Sequence, residues 1–140
     1  MITKLRPWQN DALKKCTNWL LKKRIDRHFI IHAAPGSGKT IAACAIAQTF
    51  FELGEIERVI VIAPRSEVVA QWSKDFANVT GRYMSKVTGA DGDLDKLGVD
   101  VCATWSAVQG LQDAFQAICK SSKTLVICDE HHHAALKASW

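Results

Sequence analysis

Short, nearly continuous apolar runs alternate along the chain with longer segments that carry an apolar residue at every third or fourth position. A continuous run such as 59–62 is typical of a parallel strand covered on both faces, and the longer spacing is typical of amphipathic helices. Strands are predicted at 28–33, 58–63, 83–88, 100–104 and 123–128, and the last of these is predicted to be the final strand. This alternation predicts an α/β fold, a three-layer sandwich around a mainly parallel sheet.

Helices are predicted at 5–23, 39–53, 66–78 and 106–119. Pro7 suits the first turn of the first helix, where its missing N–H costs nothing. The second helix carries few polar residues and is expected to be buried, with Gly54 ending it as a left-handed cap. Ser66 is the predicted N-cap of the third helix, and Trp72 lies on the apolar stripe of that helix. The polar, glycine-rich segment 89–98 is predicted to be a loop.

The composition is that of one soluble globular domain, with 140 residues, 48% of them apolar and 23% charged. No apolar run approaches the roughly 18 residues of a membrane span, and 1–23 lacks the apolar centre of a signal peptide. The five cysteines form no C-x-x-C pair, and their number is odd. They are interpreted as buried thiols in a reducing compartment, which predicts a cytoplasmic protein.

The net charge of +4 is unevenly distributed. Residues 1–27 hold eight Lys and Arg against two Asp, which gives +6, whereas 28–140 sum to −2. Such a basic segment can attract a polyanion, but it can equally be the solvated face of a helix. Charge alone favours the solvated face.

The stretch between the first strand and the second helix, 33–40, reads Ala-Ala-Pro-Gly-Ser-Gly-Lys-Thr. Glycines let backbone N–H groups turn toward phosphate oxygens, and the following helix presents its positive end to the same anion. Lys39 can reach the outer phosphates and the hydroxyl of Thr40 can ligate Mg²⁺. Ala33 stands where the pattern G-x-x-x-x-G-K-[ST] has its first glycine. The rest of the predicted cradle consists of Pro35, Gly36, Ser37 and Gly38. The alternative is a plain glycine turn between a strand and a helix.

A second stretch, Asp-Glu-His-His-His, follows the last predicted strand. Asp129 can hold Mg²⁺, directly or through water, and Glu130 can polarise the water that attacks a γ-phosphate. Loops at the carboxyl ends of parallel strands emerge on one edge of the sheet, where ligands bind in open α/β folds. An acidic pair alone ends many strands, but the two stretches together favour a nucleoside triphosphate site.

These two stretches resemble the first RecA-like domain of superfamily 2 helicases and translocases of the DExH type, in which alanine at the position of Ala33 is usual. Within that superfamily the likeness is greatest to restriction-enzyme and phage DNA helicases, which suggests a bacterial or phage-encoded protein. The resemblance extends over 5–134, so 1–140 is expected to be a single RecA-like ATP-binding domain of the P-loop NTPase fold. Family members continue into a second RecA-like domain, which 1–140 does not contain.

The resemblance also implies roles for residues outside the two stretches. Residues 1–27 resemble the helix that recognises adenine in this family, which implies that Gln9 reads the base and that Arg6 also binds the nucleotide. Arg65 and Thr104 lie in segments similar to those that contact the nucleic-acid backbone. His132 corresponds to the DExH histidine, which couples the nucleotide site to the rest of the motor. Trp72 is expected to pack in the core, whereas for Trp105 core packing and base stacking are equally expected.

The resemblance implies that the chain is the ATP-binding motor domain of a DNA-dependent ATPase, helicase or translocase. It further implies ATP and Mg²⁺ as cofactors and DNA, or RNA, as the partner. The second RecA-like domain would supply arginine fingers, worth about 10³–10⁵ in rate, so 1–140 alone is expected to be nearly inactive. Two alternatives stay open. One is a P-loop NTPase or kinase that does not act on nucleic acid, and the other is a degenerate, non-catalytic nucleotide-binding module.

Overall fold

Six strands and five α-helices are found among the residues that the computed structural model describes, which are 5–23, 28–32, 38–88, 99–130 and 133–139. The strands are β1 (His28–His32), β2 (Arg58–Ala63), β3 (Met84–Val87), β4 (Asp100–Thr104), β5 (Thr124–Glu130) and β6 (His133–Ala138). The helices are α1 (Pro7–Thr17), α2 (Lys39–Glu52), α3 (Ser66–Thr80), α4 (Trp105–Gly110) and α5 (Gln112–Ser121). Within these ranges no helix has the length and apolar character of a membrane span.

The strands form one sheet in the order β1-β6-β5-β2-β4-β3. β2 pairs in parallel with β4 and β5, and β3 pairs in parallel with β4. β6 is antiparallel to both of its neighbours, β1 and β5, so β1 and β5 run in the same direction. Five strands therefore end at one edge of the sheet, here called the carboxyl edge. The predicted mainly parallel α/β sheet is confirmed.

Alternate residues of β2 belong to two different hydrophobic cores, since successive side chains of a strand point to opposite faces. Val59, Val61 and Ala63 pack with α1, α2 and α3 on one face, and Ile60 and Ile62 pack with α4 and α5 on the other. The fully buried large side chains that the helices give to the first core are Ile46, Phe50, Val69, Trp72 and Phe76. The predicted three-layer sandwich follows from this division.

The prediction that the sheet ends with 123–128 is wrong. β5 continues to Glu130, and β6 follows it and lies between β1 and β5. The sequence of β6, His-Ala-Ala-Leu-Lys-Ala, carries residues of good helix propensity and only one large apolar side chain, Leu136. Pairing on both sides and the burial of Leu136 and Ala138, with Lys137 exposed between them, override that local preference.

The single helix predicted at 106–119 is in fact two helices, α4 and α5, separated at Leu111. The backbone of Leu111 has φ −123° and ψ 29°, which is outside the helical region, and it directly follows Gly110, a poor helix former. Val108, Leu111 and Ile118 still pack on the second core. The apolar spacing therefore continues across the break, which is why it did not reveal the break.

The ends of the other helices differ from the predictions in detail. The first helix ends near Lys23 as predicted, although its last part, Asn18–Lys23, is π-helical. Gly54 follows α2 with φ +71°, which confirms the left-handed cap. The prediction of Ser66 as N-cap is wrong, because extended Arg65 caps α3 and its carbonyl accepts the N–H groups of Val68 and Val69 at 3.1 Å each. The predicted loop 89–98 lies outside the described residues.

Candidate nucleotide-binding site

The carboxyl edge brings together two residues that are 90 positions apart in the sequence. Lys39 is the first residue of α2, and Asp129 is the penultimate residue of β5. The Nζ atom of Lys39 lies 2.9 Å from Oδ1 of Asp129, and the two side chains are only 12% and 8% exposed. Little water reaches either side chain, so the contact between them is a charge-assisted hydrogen bond in a largely buried position.

The second carboxylate oxygen of Asp129 has a different partner. The indole Nε1–H of Trp72, in the middle of α3, donates a hydrogen bond to Oδ2 of Asp129 at 2.7 Å. Trp72 is fully buried, so its predicted place in the core is confirmed. Its polar contact was missed. The available signal was a tryptophan on an inward-facing stripe, whose N–H needs an acceptor when it is buried.

Gln9 joins the N-terminal helix to the start of α2. Its Nε2 donates to the carbonyl of Gly38 at 2.8 Å, and its Oε1 accepts the backbone N–H of Arg6 at 2.7 Å. Gly38 has φ +94°, and a Cβ atom placed there would lie 2.5 Å from Nε2 of Gln9. The backbone conformation therefore favours glycine at this position, and an added Cβ atom would also displace the Gln9 amide.

Some of the predicted site residues lie outside the described part of the structure. Thr40 is described, as the second residue of α2, and is partly buried. Glu130 ends β5, and its backbone alone is described. The predicted residues that lie outside the described ranges are Pro35, Gly36, Ser37 and His132. The residues of the predicted nucleotide site whose side chains or backbone turn the structure describes in full are Arg6, Gln9, Gly38, Lys39, Thr40 and Asp129.

The donors at this site fit Mg²⁺, which takes hard oxygen ligands and usually only one or two protein carboxylates beside phosphates and water. Asp129 offers a carboxylate and Thr40 a hydroxyl. Within the described residues there is no group of three or more His, Cys, Asp or Glu side chains that would form an all-protein metal cage. The site therefore suits a metal that is bound jointly with a ligand's phosphates.

The residues predicted to contact nucleic acid lie at the same carboxyl edge. Ala63 and Thr104 are paired at the ends of β2 and β4, and exposed Arg65 follows the first of these strands. Thr104 is buried, and its Oγ1 accepts the N–H of Ala107 at 3.3 Å, so it caps α4. Trp105, directly after it, is 40% exposed. Exposed Arg65 and exposed Trp105 thus follow neighbouring strands of the sheet.

The cysteines contribute no reactive group to this site. Burial raises the pKa of Cys102 to about 12, with a smaller contribution from the charge of Asp129. Burial also raises the pKa of Cys44, on α2, and that of Cys16 to about 12. Near neutral pH these three thiols are protonated and lack the nucleophilic thiolate. Cys119 and Cys128 are half-buried, so the predicted burial is complete for only three of the five.

The family model described as "Type III restriction enzyme, res subunit" matches residues 2–140. The chain belongs to this family. It is 28% identical over 136 residues to an uncharacterised protein of Mycobacterium tuberculosis strain ATCC 25618 / H37Rv, and 27% identical to one of Mycobacterium leprae strain TN. Each match covers 97% of this chain and 22% of the relative, so the chain spans about a fifth of the relatives' length.

The fold of the chain is similar to that of a restriction-modification enzyme of known structure. A nuclease-deletion mutant of the Type ISP enzyme LlaGI, solved in complex with a DNA substrate mimic, matches with a TM-score of 0.52 and 21% identity. The match covers 90% of this chain and 12% of LlaGI. Together, family and fold confirm the predicted superfamily 2 helicase-like, RecA-like ATP-binding domain. The predicted roles of individual residues stay predictions.

Proposed function

We propose that this domain binds ATP with Mg²⁺ at the carboxyl edge and acts as the motor domain of a DNA-dependent ATPase, converting hydrolysis into movement on DNA. The observation that carries the proposal is the 2.9 Å contact between Lys39 and Asp129. These residues come from the two stretches that the sequence assigns to phosphate and to metal, and the fold places them side by side. A plain glycine turn would not need a buried carboxylate as a partner for its lysine.

A metal-bound triphosphate carries an opposite charge for each member of this pair. The ammonium group of Lys39 would bind the phosphates, and the carboxylate of Asp129 and the hydroxyl of Thr40 would ligate Mg²⁺. When bound, the metal would offset charge on the β- and γ-phosphates. Lys39 and Asp129 are each other's partners in the structure. When nucleotide binds, Lys39 would exchange Asp129 for phosphate and Asp129 would exchange Lys39 for Mg²⁺, so neither group would be buried without an opposite charge.

Other residues complete the proposed site. Glu130, next to Asp129 at the end of β5, is the proposed general base for the attacking water. Gln9 is the proposed adenine-reading residue and Arg6 is proposed to bind the nucleotide beside it. The bond from Gln9 to the Gly38 carbonyl already holds that segment beside the start of α2. The backbone N–H groups of 35–38 are the proposed phosphate cradle.

The proposed nucleic-acid contact lies further along the same edge. Arg65 is exposed at the start of α3, and Trp105 is exposed at the start of α4, directly after the neighbouring strand β4. An arginine can bind a backbone phosphate, and an exposed indole can stack on a base without reading its identity. DNA is favoured over RNA because LlaGI, a fold neighbour, was solved with a DNA substrate mimic.

Full activity is proposed to require a second RecA-like domain that faces this edge. In the proposed mechanism, cations from this domain and from the second domain stabilise the phosphate that is transferred. An arginine finger from the second domain would be worth about 10³–10⁵ in rate. On the side of this domain, Lys39 is the proposed cation at the transferred phosphate. We therefore expect this domain alone to bind nucleotide but to hydrolyse it very slowly.

The test of nucleotide binding is the affinity of the chain for MgATP, measured by isothermal titration calorimetry in the Lys39→Ala variant. Loss of a charged hydrogen bond to phosphate predicts roughly 10- to 100-fold weaker binding. Lys74→Ala, which removes an exposed lysine from α3, is the matched control and should bind like the wild type. Equal affinity of Lys39→Ala and the wild type would contradict the proposal.

The test of the nucleic-acid role is ATP hydrolysis by a protein that carries this domain together with a second RecA-like domain. DNA is expected to stimulate hydrolysis, and Arg65→Ala is expected to lower that stimulation without changing the rate in the absence of DNA. If neither DNA nor RNA stimulates hydrolysis, the domain is instead a P-loop NTPase that acts on another substrate.

A further inference from the structure

The hydrogen bond between Trp72 and Asp129 does more than satisfy a buried indole. A buried tryptophan N–H is usually satisfied by a backbone carbonyl or a water. Here the acceptor is the carboxylate of the residue proposed to hold the metal, at 2.7 Å, which is short for an N–H donor and typical of a charge-assisted bond. Trp72 is fully buried, so water does not compete for its N–H.

The two oxygens of Asp129 are divided between two partners. Oδ1 faces Lys39 at 2.9 Å, and Oδ2 faces Trp72. When Lys39 turns to the phosphates of a nucleotide, Oδ1 is the oxygen that loses a partner. The bond from Trp72 to Oδ2 needs no change in that exchange. The indole can therefore hold the carboxylate both before and after nucleotide binds.

A carboxylate needs such a restraint because its terminal torsion is soft. The χ2 angle of aspartate is broad and roughly two-fold, so without a partner on Oδ2 the group turns freely about Cβ–Cγ. The indole itself is fixed: Trp72 lies between Val69 and Phe76 on α3, and all three side chains are fully buried. A rigid donor on one oxygen thus sets the plane of the carboxylate and the direction of the other oxygen.

We propose that Trp72 is a positioning residue, whose indole N–H on Oδ2 fixes the Asp129 carboxylate and keeps Oδ1 available to the Mg²⁺ that a nucleotide would bring. This inference rests on the proposed function, since it assigns a further residue to the same site. Trp72 touches neither metal nor nucleotide and acts through Asp129. Partners that orient a metal ligand in this way typically contribute 10- to 100-fold to metal affinity or activity.

The experiment measures how ATP affinity depends on Mg²⁺ in the Trp72→Phe variant of the chain. Phenylalanine keeps most of the buried ring and removes the N–H. Calorimetric titrations with ATP are run in EDTA and over a series of Mg²⁺ concentrations. We expect the affinity in EDTA to stay within about twofold of the wild type and the apparent Mg²⁺ affinity to fall roughly 10- to 100-fold. Lost packing alone would weaken both.

Two further variants separate the N–H from the shape of the side chain. Benzothienylalanine introduced at position 72 keeps the bicyclic shape but has sulfur in place of the N–H, so it should reproduce the selective loss of Mg²⁺ affinity without a cavity. Phe76→Leu, one turn further along α3, disturbs the same core without touching Asp129 and should keep the wild-type Mg²⁺ dependence. An equal loss in Phe76→Leu would show a general packing effect and overturn the inference.

A measurement without nucleotide tests the contact itself. In a ¹H–¹⁵N spectrum of the chain, the indole N–H resonance assigned to position 72 should be protected from solvent exchange and should move in the Asp129→Ala variant. A resonance that exchanges rapidly and does not respond to Asp129→Ala would overturn the inference.

The outcomes distinguish the inference from the proposed function. If the wild type binds ATP with Mg²⁺ and Trp72→Phe shows the same Mg²⁺ dependence, the positioning role is wrong and the nucleotide site stands. If the wild type binds no ATP with or without Mg²⁺, the proposed function fails and the positioning role fails with it.

Discussion

Gly38 combines a backbone conformation that favours glycine with a neighbour, the Gln9 amide, that any larger side chain would displace. Its φ of +94° is a conformation that costs other residues about 1–2 kcal/mol. A Cβ atom there would also lie 2.5 Å from Nε2 of Gln9, the donor that bonds to the Gly38 carbonyl. Gly54 also has a positive φ, +71°, but a Cβ atom at that position meets nothing within 4 Å. Comparing the same substitution at the two glycines therefore separates the backbone effect from the effect of Gln9.

At this residue scale we expect Gly54→Ala to lower the free energy of unfolding by about 1 kcal/mol through its backbone alone. Gly38→Ala should cost more, because Gln9 must also move, and it should weaken ATP binding roughly tenfold by displacing the proposed adenine-reading amide. Urea denaturation and calorimetric titration of both variants test this. Equal losses of stability, with ATP affinity unchanged in both, would show that the approach of Gln9 is unimportant.

The site residues differ in how far the sequence reveals them. Lys39 and Asp129 belong to short patterns in which residue type and spacing carry the chemistry, so they were predictable before any fold was known. The contact of Gln9 with Gly38 follows no local sequence rule. The sequence indicated only that the N-terminal segment belongs to the nucleotide site. The bond from Trp72 to Asp129 joins residues 57 apart in the sequence. A helical stripe shows that Trp72 faces inward, but not which strand end it meets.

At the scale of elements, one buried carboxylate ties several parts of the fold together. Asp100, the first residue of β4, is 2% exposed. Its Oδ1 accepts the backbone N–H of Val59 in β2 at 3.0 Å, and its Oδ2 accepts Nε–H of Arg82 at 2.8 Å. The guanidinium of Arg82 also lies 3.9 Å from the centre of the Phe51 ring on α2. This cluster joins β2, β4 and α2 at the edge opposite the candidate site.

We expect Asp100→Ala to lower the free energy of unfolding by about 2–4 kcal/mol, because it leaves a buried N–H unsatisfied and removes the partner of Arg82. Arg82→Ala should cost less, since its side chain is 37% exposed and water can replace part of its contacts. Asp113→Ala, at an exposed position of α5, is the control and should lie within about 0.5 kcal/mol of the wild type. Urea denaturation measures all three. A loss no larger than that of Asp113→Ala would show that Asp100 is not a structural tie.

The elements themselves were predictable where burial leaves a clear pattern. The bounds of β2 and β4 agree with the prediction to the residue, because strands buried on both faces are continuous apolar runs between polar ends. β6 was missed because its alanines favour a helix and only pairing on both sides makes it a strand. The division of α4 from α5 was missed because apolar periodicity indicates only which face of a helix is buried. The buried face continues past the break at Leu111, so the periodicity is the same with or without it.

At the scale of the whole molecule, the first core joins α1, α2 and the sheet, and each of these contributes a buried thiol. Cys16, Cys44 and Cys102 all lie in that core. Burial raises the pKa of Cys16 and Cys102 from 9.0 to about 12, and it raises that of Cys44 as well. Unfolding exposes all three at once, because they belong to one cooperative core. Their protonation therefore reports on the global stability of the molecule.

Between pH 9 and pH 12 the unfolded chain loses these thiol protons and the folded chain keeps them, so the unfolded state binds fewer protons and stability must fall as the pH rises. The slope is at most about 1.4 kcal/mol per pH unit for each thiol. Below pH 9 this contribution is constant. The comparison uses a variant in which Cys16, Cys44 and Cys102 are all alanine, so that the two proteins differ only at these three thiols. Urea midpoints from pH 7.5 to pH 10.5 should fall more steeply above pH 9 in the wild type than in this variant. Parallel curves for the two proteins would mean that the three thiols ionise as readily in the folded core as in water.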